Sequence, residues 1–238
     1  MWFKRLRTPS TLLEILNTHT NLLALMCAIF WGVGLILALI FSPADYQQGQ
    51  VMRILYIHVP ASWGALAVYT LMAVFSGIFL IWRVPVADLA STALAPIGAL
   101  FTGISLVTGM LWGKPMWGTY WVWDARLTSM LILGLLYVGY MALQSTLENP
   151  EQAAKSSACL AVFGWLNIPI IKGSVYWWTT LHQPSTVFRS TGPAMPLDML
   201  WPLGIMTIAW SLTTLILFRY RFNLVLLRRK LKATLRGL

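Results

Sequence analysis

The sequence predicts an all-α integral membrane protein with six transmembrane helices, and three observations support this. Hydrophobic residues make up 58% of the 238 residues and charged residues only 10%, whereas a soluble domain carries about 25% charged residues. The mean hydropathy is +0.70. Six apolar runs approach or reach the roughly 20 residues that a helix needs to cross the hydrocarbon core. We therefore expect one membrane domain over residues 1–238.

The six predicted spans are separated by short polar or proline-containing segments. They cover approximately residues 22–41, 61–82, 89–112, 127–147, 157–171 and 199–218. The fifth span is short and contains Asn167 and Pro169. An even number of spans places both termini on the same side of the membrane.

The distribution of basic residues predicts that both termini lie in the cytoplasm. With that orientation, twelve of the 17 Lys and Arg residues fall on the inner side, including Lys4, Arg5 and Arg7 before the first span. This asymmetry follows the positive-inside rule. The net charge of +10 is thus attributed to tails that contact anionic lipid, and not to nucleic-acid binding. The remaining basic residues lie on the outer side: Arg53, Lys114, Arg126, Lys172 and Arg189.

Two histidines in different outer loops share the pattern His-x-Pro, namely His58 before Pro60 and His182 before Pro184. Proline disfavours helical backbone at the preceding residue, so each histidine is predicted to lie at a helix break near the outer surface. Neutral imidazoles are good axial ligands of haem iron. Isolated interfacial histidines and prolines at helix starts are also common, so a purely structural role stays open.

The outer loop at residues 113–126 is rich in aromatic side chains and also carries a carboxylate and a guanidinium. Tryptophan and tyrosine rings bury large apolar areas, which suits a flat ligand such as a porphyrin. An alternative is an amphipathic segment in the head-group layer. The residues concerned are Trp117, Tyr120, Trp121, Trp123, Asp124 and Arg126.

The charged residues of this region have two interpretations each. Arg126 or Arg53 could pair with a propionate, since a guanidinium matches a carboxylate bidentately. Arg126 could instead anchor the fourth span at the interface. Asp124 precedes that span at the position of a helix N-cap, and capping is compatible with a role at the site.

The segment Trp117-Gly118-x-x-Trp121-x-Trp123-Asp124-x-Arg126-Leu127-Thr128 resembles the motif called the WWD domain in haem-handling membrane proteins. The stretch from Arg53 to Trp63, which contains His58, and the position of His182 also match. The chain resembles the CcmC family of cytochrome c maturation proteins across essentially all six spans. Larger relatives with the same motif have more spans and more histidines.

The resemblance implies a haem-binding protein of the bacterial inner membrane. Haem b would be ligated by His58 and His182 on the periplasmic side, in contact with the WWD loop. That loop would present haem to the chaperone CcmE, which becomes covalently attached to it. CcmA, CcmB and CcmD would form an associated ABC-type complex that hydrolyses ATP.

The chain itself is predicted not to be an enzyme, because it contains no Walker, H-E-x-x-H or G-x-S-x-G motif. Two other functions remain as alternatives. A quinol-linked b-type cytochrome anchor would also use histidine ligands, but such anchors normally hold them inside the spans. A permease for another apolar solute would leave the two His-x-Pro elements unexplained.

Overall fold

The computed structural model describes residues 19–236 of the chain. Within this range, six helical segments are long and apolar enough to cross a membrane, which confirms the predicted all-α class and the number of spans. The basic residues Lys4, Arg5 and Arg7 lie outside the described residues. The orientation with both termini in the cytoplasm stays a prediction.

Seven α-helices make up the six spans, because the fifth span consists of two helices. A π-helical turn, Leu37–Phe41, extends the first helix, and a 3₁₀ turn, Gln50–Ile54, leads into the second. The helices are α1 (Thr20–Ile36), α2 (Leu55–Trp82), α3 (Pro85–Trp117), α4 (Ala125–Thr146), α5 (Pro150–Gly164), α6 (Asn167–Trp177) and α7 (Leu197–Arg236).

Two predicted boundaries differ from the structure near the aromatic loop and in the fifth span. Helix α3 continues to Trp117 and ends at Gly118, which has a φ of 77°, so only residues 118–124 of the aromatic loop are irregular. The fifth span is longer than predicted, since α5 begins at Pro150. Pro169 fits in the first turn of α6, where a backbone N–H has no helical partner. Asn167 at the start of α6 donates a hydrogen bond to the Ser129 carbonyl at 2.8 Å.

The centre of the bundle is an aromatic core shared by α2, α3 and α4. The Tyr69 and Tyr137 rings meet edge to face at 5.0 Å, and the Tyr137 hydroxyl donates to the Ala65 carbonyl at 2.7 Å. Tyr137 can lie so close to α3 only because residue 98 is glycine. A Cβ atom at Gly98 would lie 2.0 Å from the Tyr137 ring.

An ion pair between a partly exposed arginine and a buried carboxylate joins α7 to α3, at the end of α3 that lies far from Trp117. Asp88 is 3% exposed and accepts a charge-assisted contact of 2.6 Å from Arg229. Gln144 on α4 donates to the other carboxylate oxygen of Asp88 at 3.2 Å. Because removal of one partner leaves a buried charge unpaired, this network fixes the long α7 against the bundle.

Replacement of Gly98 by alanine is expected to destabilise the protein, since the new methyl group overlaps the buried Tyr137 ring. Overpacking of this kind costs about 1–3 kcal/mol. Gly103→Ala in the same helix is the control, because no atom lies within 4 Å of its added Cβ. Thermal unfolding in detergent measures both, and equal melting temperatures for the two variants would contradict the packing described.

Candidate ligand-binding site

One end of the bundle contains a cavity of about 540 Å³, and both His58 and His182 line it. Its volume lies within the range of about 300–1,000 Å³ that small-molecule sites occupy. Most of its lining residues come from the start of α2, the end of α3, the end of α6 and the loop before α7, and the others are Gln47, Gln48, Arg126 and Leu203. We call it the histidine cavity. The two histidines that were predicted in different outer loops therefore lie at the same end of the bundle.

His58 lies in the first turns of α2, and the predicted helix break at this residue is wrong, because α2 continues through Pro60. The His58 Nδ1 atom lies 3.0 Å from the Thr108 hydroxyl. Thr108 uses its only proton to donate to the Ile104 carbonyl at 2.6 Å, so it accepts from His58 Nδ1. The proton on Nδ1 leaves the Nε2 lone pair of His58 free for a metal.

The packing around His58 also restrains its ring. A Cβ atom at Gly109 would lie 3.1 Å from His58 Cε1, so the α3 backbone passes directly beside the imidazole. The Trp112 ring contacts it edge to face at 5.6 Å. A side chain held between a helix backbone and an indole presents its free nitrogen in one direction.

His182 lies in the irregular segment between α6 and α7, as predicted. Its ring packs against the Trp117 ring at 5.0 Å. Burial, with a further contribution from the positive charge of Arg126, lowers the pKa of His182 from 6.5 to about 4. The imidazole is therefore neutral at pH 7, and its buried Nδ1 has no hydrogen-bond partner among the described residues.

The tryptophans of the aromatic loop are divided between the site and the surface. Trp117 lines the histidine cavity. Trp121 lines an adjoining pocket of about 60 Å³ that both histidines also border. Trp123 contacts the Trp121 ring at 5.4 Å but is 76% exposed and borders neither space.

Two cations border the histidine cavity, Arg126 and Lys172. Arg126 donates to the Ile171 carbonyl at 3.1 Å, which brings its guanidinium next to the residue that precedes Lys172. Neither cation forms an ion pair within the described part of the chain. The cavity therefore has positive charge available for an anionic ligand.

Arg53, the other predicted propionate partner, lies elsewhere. Its guanidinium donates to the carbonyls of Leu39 and Ser42 at the end of the first span, and it does not border the histidine cavity. These carbonyls are left without helical partners where the span ends. In this structure Arg53 acts as a cap that ties the 3₁₀ turn to the π-helical end of the first span.

Asp124 is the N-cap of α4, as one of its two interpretations predicted. Its Oδ1 accepts from the Leu127 backbone N–H at 2.7 Å. Its Oδ2 accepts from the Thr180 hydroxyl and from the Leu181 backbone N–H at 3.3 Å. Asp124 thus contacts the loop of His182 but does not border the histidine cavity.

Sequence reasoning missed several residues of the site. Thr108, Gly109 and Trp112 contact His58 from α3, and Lys172 and Tyr176 border the cavity from α6. A spacing of four residues places Thr108 and Trp112, and likewise Lys172 and Tyr176, on one helix face. This four-residue spacing is the sequence pattern that could have grouped these residues, although it does not indicate which helix face contacts a histidine.

The donor set fits a haem better than a bare metal ion. No group of three or more His, Cys, Asp or Glu residues in the described range could hold a metal. A porphyrin supplies four nitrogen ligands itself and needs only axial ligands from the protein. Two imidazoles and two cations border the cavity, so the side chains present match the kinds of group that a haem uses.

Known proteins that are similar in sequence match nearly the whole length of this chain. The family model described as "CcmC: Heme exporter protein C" matches residues 2–236. Heme exporter protein C of Escherichia coli K12 is 46% identical, over 97% of this chain and 94% of that protein. Heme exporter protein C of Bradyrhizobium diazoefficiens is 44% identical, over 96% of this chain and 86% of the relative.

A relative from a plant matches over a similar extent. The putative cytochrome c biosynthesis ccmC-like mitochondrial protein of Marchantia polymorpha is 43% identical over 84% of this chain and 85% of its own length. The family match spans every helix that forms the histidine cavity. The chain therefore belongs to the CcmC family of heme exporter proteins.

Proposed function

We propose that this chain binds haem in the histidine cavity and delivers it for the biogenesis of c-type cytochromes. The relatives carry the name heme exporter protein C, and the family match covers residues 2–236. The observation that carries the proposal is that two imidazoles from distant parts of the chain border one cavity. His58 and His182 would be the axial ligands of the iron.

The surroundings of each imidazole would favour iron binding in a different way. The Thr108 hydroxyl fixes the tautomer of His58, whereas burial keeps His182 neutral. Trp117 contacts the His182 ring and would form part of the wall against the porphyrin. A metal-bound nitrogen would also remove the cost of a buried imidazole that has no polar partner.

The two propionates of haem would pair with Arg126 and Lys172. Both cations border the cavity and have no carboxylate partner in the described range. A hydrogen bond to a charged group contributes about 1.5–3 kcal/mol. Haem b, which is held without thioether bonds, is the form that axial ligands and propionate contacts alone can retain and release.

Delivery requires a partner to reach the bound haem. Trp121 lines the pocket that adjoins the histidine cavity, and Trp123 is exposed beside Trp121, so we assign the partner contact to the surface around Trp123. We propose that the partner is the chaperone CcmE and that CcmA, CcmB and CcmD supply the ATP-hydrolysing complex. The cavity would then face the periplasm from the bacterial inner membrane, with both termini in the cytoplasm.

His58→Ala and His182→Ala should each lower the haem content of the purified protein by about tenfold or more, since loss of even an outer-shell partner costs 10–100-fold at metal sites. Residual haem should lose the low-spin spectrum of two-imidazole ligation. His19→Ala is the control, because His19 lies before α1, away from the cavity. A wild-type haem spectrum in both variants would contradict the assignment of His58 and His182 as iron ligands.

Arg126→Gln and Lys172→Gln should each weaken haem binding by about tenfold, as expected for a lost charged hydrogen bond. The effect should disappear with haem dimethyl ester, which has no free carboxylates. Lys114→Gln is the matched control, since Lys114 lies at the same end of the bundle but outside the cavity. Equal losses with haem and its ester would contradict the propionate assignment.

A further inference from the structure

We propose that Asp124 is a positioning residue for His182, which it holds in place through Thr180. This inference rests on the proposed role of His182 as an iron ligand. It assigns to the carboxylate of the WWD motif an intramolecular task, distinct from contact with haem. The observation behind it is that Asp124 accepts hydrogen bonds both from the start of α4 and from the loop of His182. Asp124 borders neither the histidine cavity nor the adjoining pocket.

The two carboxylate oxygens of Asp124 have separate partners. Oδ1 caps α4 through the Leu127 N–H at 2.7 Å. Oδ2 accepts from the Thr180 hydroxyl at 2.5 Å and from the Leu181 N–H. The Thr180 oxygen accepts in turn from the His182 backbone N–H at 3.1 Å. A continuous chain of hydrogen bonds therefore runs from the start of α4 to the backbone of His182.

The loop around His182 has little other polar attachment. Residues 179–184 form neither helix nor strand. The hydrogen bonds of this stretch within the described structure all end on Asp124 or on Thr180. The Trp117 ring adds an aromatic contact to the His182 side chain. Without Asp124, the backbone that aims His182 would lose its bond to a rigid helix.

The location of Asp124 strengthens these bonds. Its negative charge lies at the N-terminus of α4, where the helix dipole and the free N–H groups favour an anion. An ionised carboxylate also makes shorter and stronger hydrogen bonds than a neutral acceptor. The carboxylate is therefore a fixed point from which the His182 loop can be held.

The substitution Asp124→Asn separates the capping of α4 from the attachment of the His182 loop. Asparagine is as good an N-cap as aspartate, so its carbonyl can still accept from Leu127. Its NH₂ group then faces Thr180 and Leu181. The Leu181 N–H loses its acceptor, and the Thr180 hydroxyl exchanges its bond to a carboxylate for a weaker one from a neutral amide. Thr180→Val tests the same chain from the other side and leaves Asp124 and its cap of α4 intact. Thr180→Ser retains the hydroxyl and should behave as wild type.

We expect Asp124→Asn and Thr180→Val to increase the rate of haem loss by about 10–100-fold, the usual effect of an outer-shell change at a metal site. The low-spin electron paramagnetic resonance signal of the ferric haem should decrease in favour of a high-spin one. Asn149→Ala controls for the loss of a helix cap, because Asn149 caps α5 and does not border the cavity. It should leave the haem signal unchanged.

Two outcomes would overturn the inference. One is a wild-type low-spin signal and haem-loss rate in Thr180→Val, which decides the question even if Asp124→Asn fails to fold. The other is an Asn149→Ala variant with the same spectral change, since this would indicate general destabilisation.

The His182→Ala variant distinguishes this inference from the proposed function. If His182→Ala loses haem while Asp124→Asn and Thr180→Val retain it, His182 is a ligand and Asp124 does not position it. If His182→Ala retains wild-type haem, the proposed ligation itself fails.

Discussion

The site depends on how two imidazoles from different parts of the chain are held at one cavity. His58 is fixed by a helix on each side, since α2 carries it and Thr108 of α3 accepts its Nδ1 proton. His182 is carried by an irregular loop whose polar attachment is Asp124. One imidazole is therefore held rigidly, and the other lies on a loop that is attached through few hydrogen bonds.

The two ends of the bundle differ in how their charges are paired. At the end of the bundle with the histidine cavity, Arg126 and Lys172 have no carboxylate partner in the described structure. At the opposite end of α3, the cation of Arg229 is neutralised by the buried Asp88. Unpaired positive charge beside an aromatic wall attracts a flat dianion, whereas a paired charge stabilises the fold.

The sequence predicted the class and the number of spans because hydropathy and length determine them directly. It also singled out both histidines that border the cavity, and their role as iron ligands stays a prediction. It misplaced the helix break at His58, since a proline near a helix start removes one hydrogen bond and the helix can continue past it. It could not assign Arg53 to a cap, Trp123 to the surface or Thr108 to His58. Those placements depend on how helices pack, which local patterns do not specify.

The most direct test of the account is to count the imidazole nitrogens on the iron. Haem-loaded protein with ¹⁵N-labelled histidine, studied by electron–nuclear double resonance, should give signals from two equivalent or nearly equivalent histidine nitrogens. His58→Ala and His182→Ala should each remove one of them. A single histidine nitrogen in the wild type, or a signal that survives both substitutions, would contradict the account.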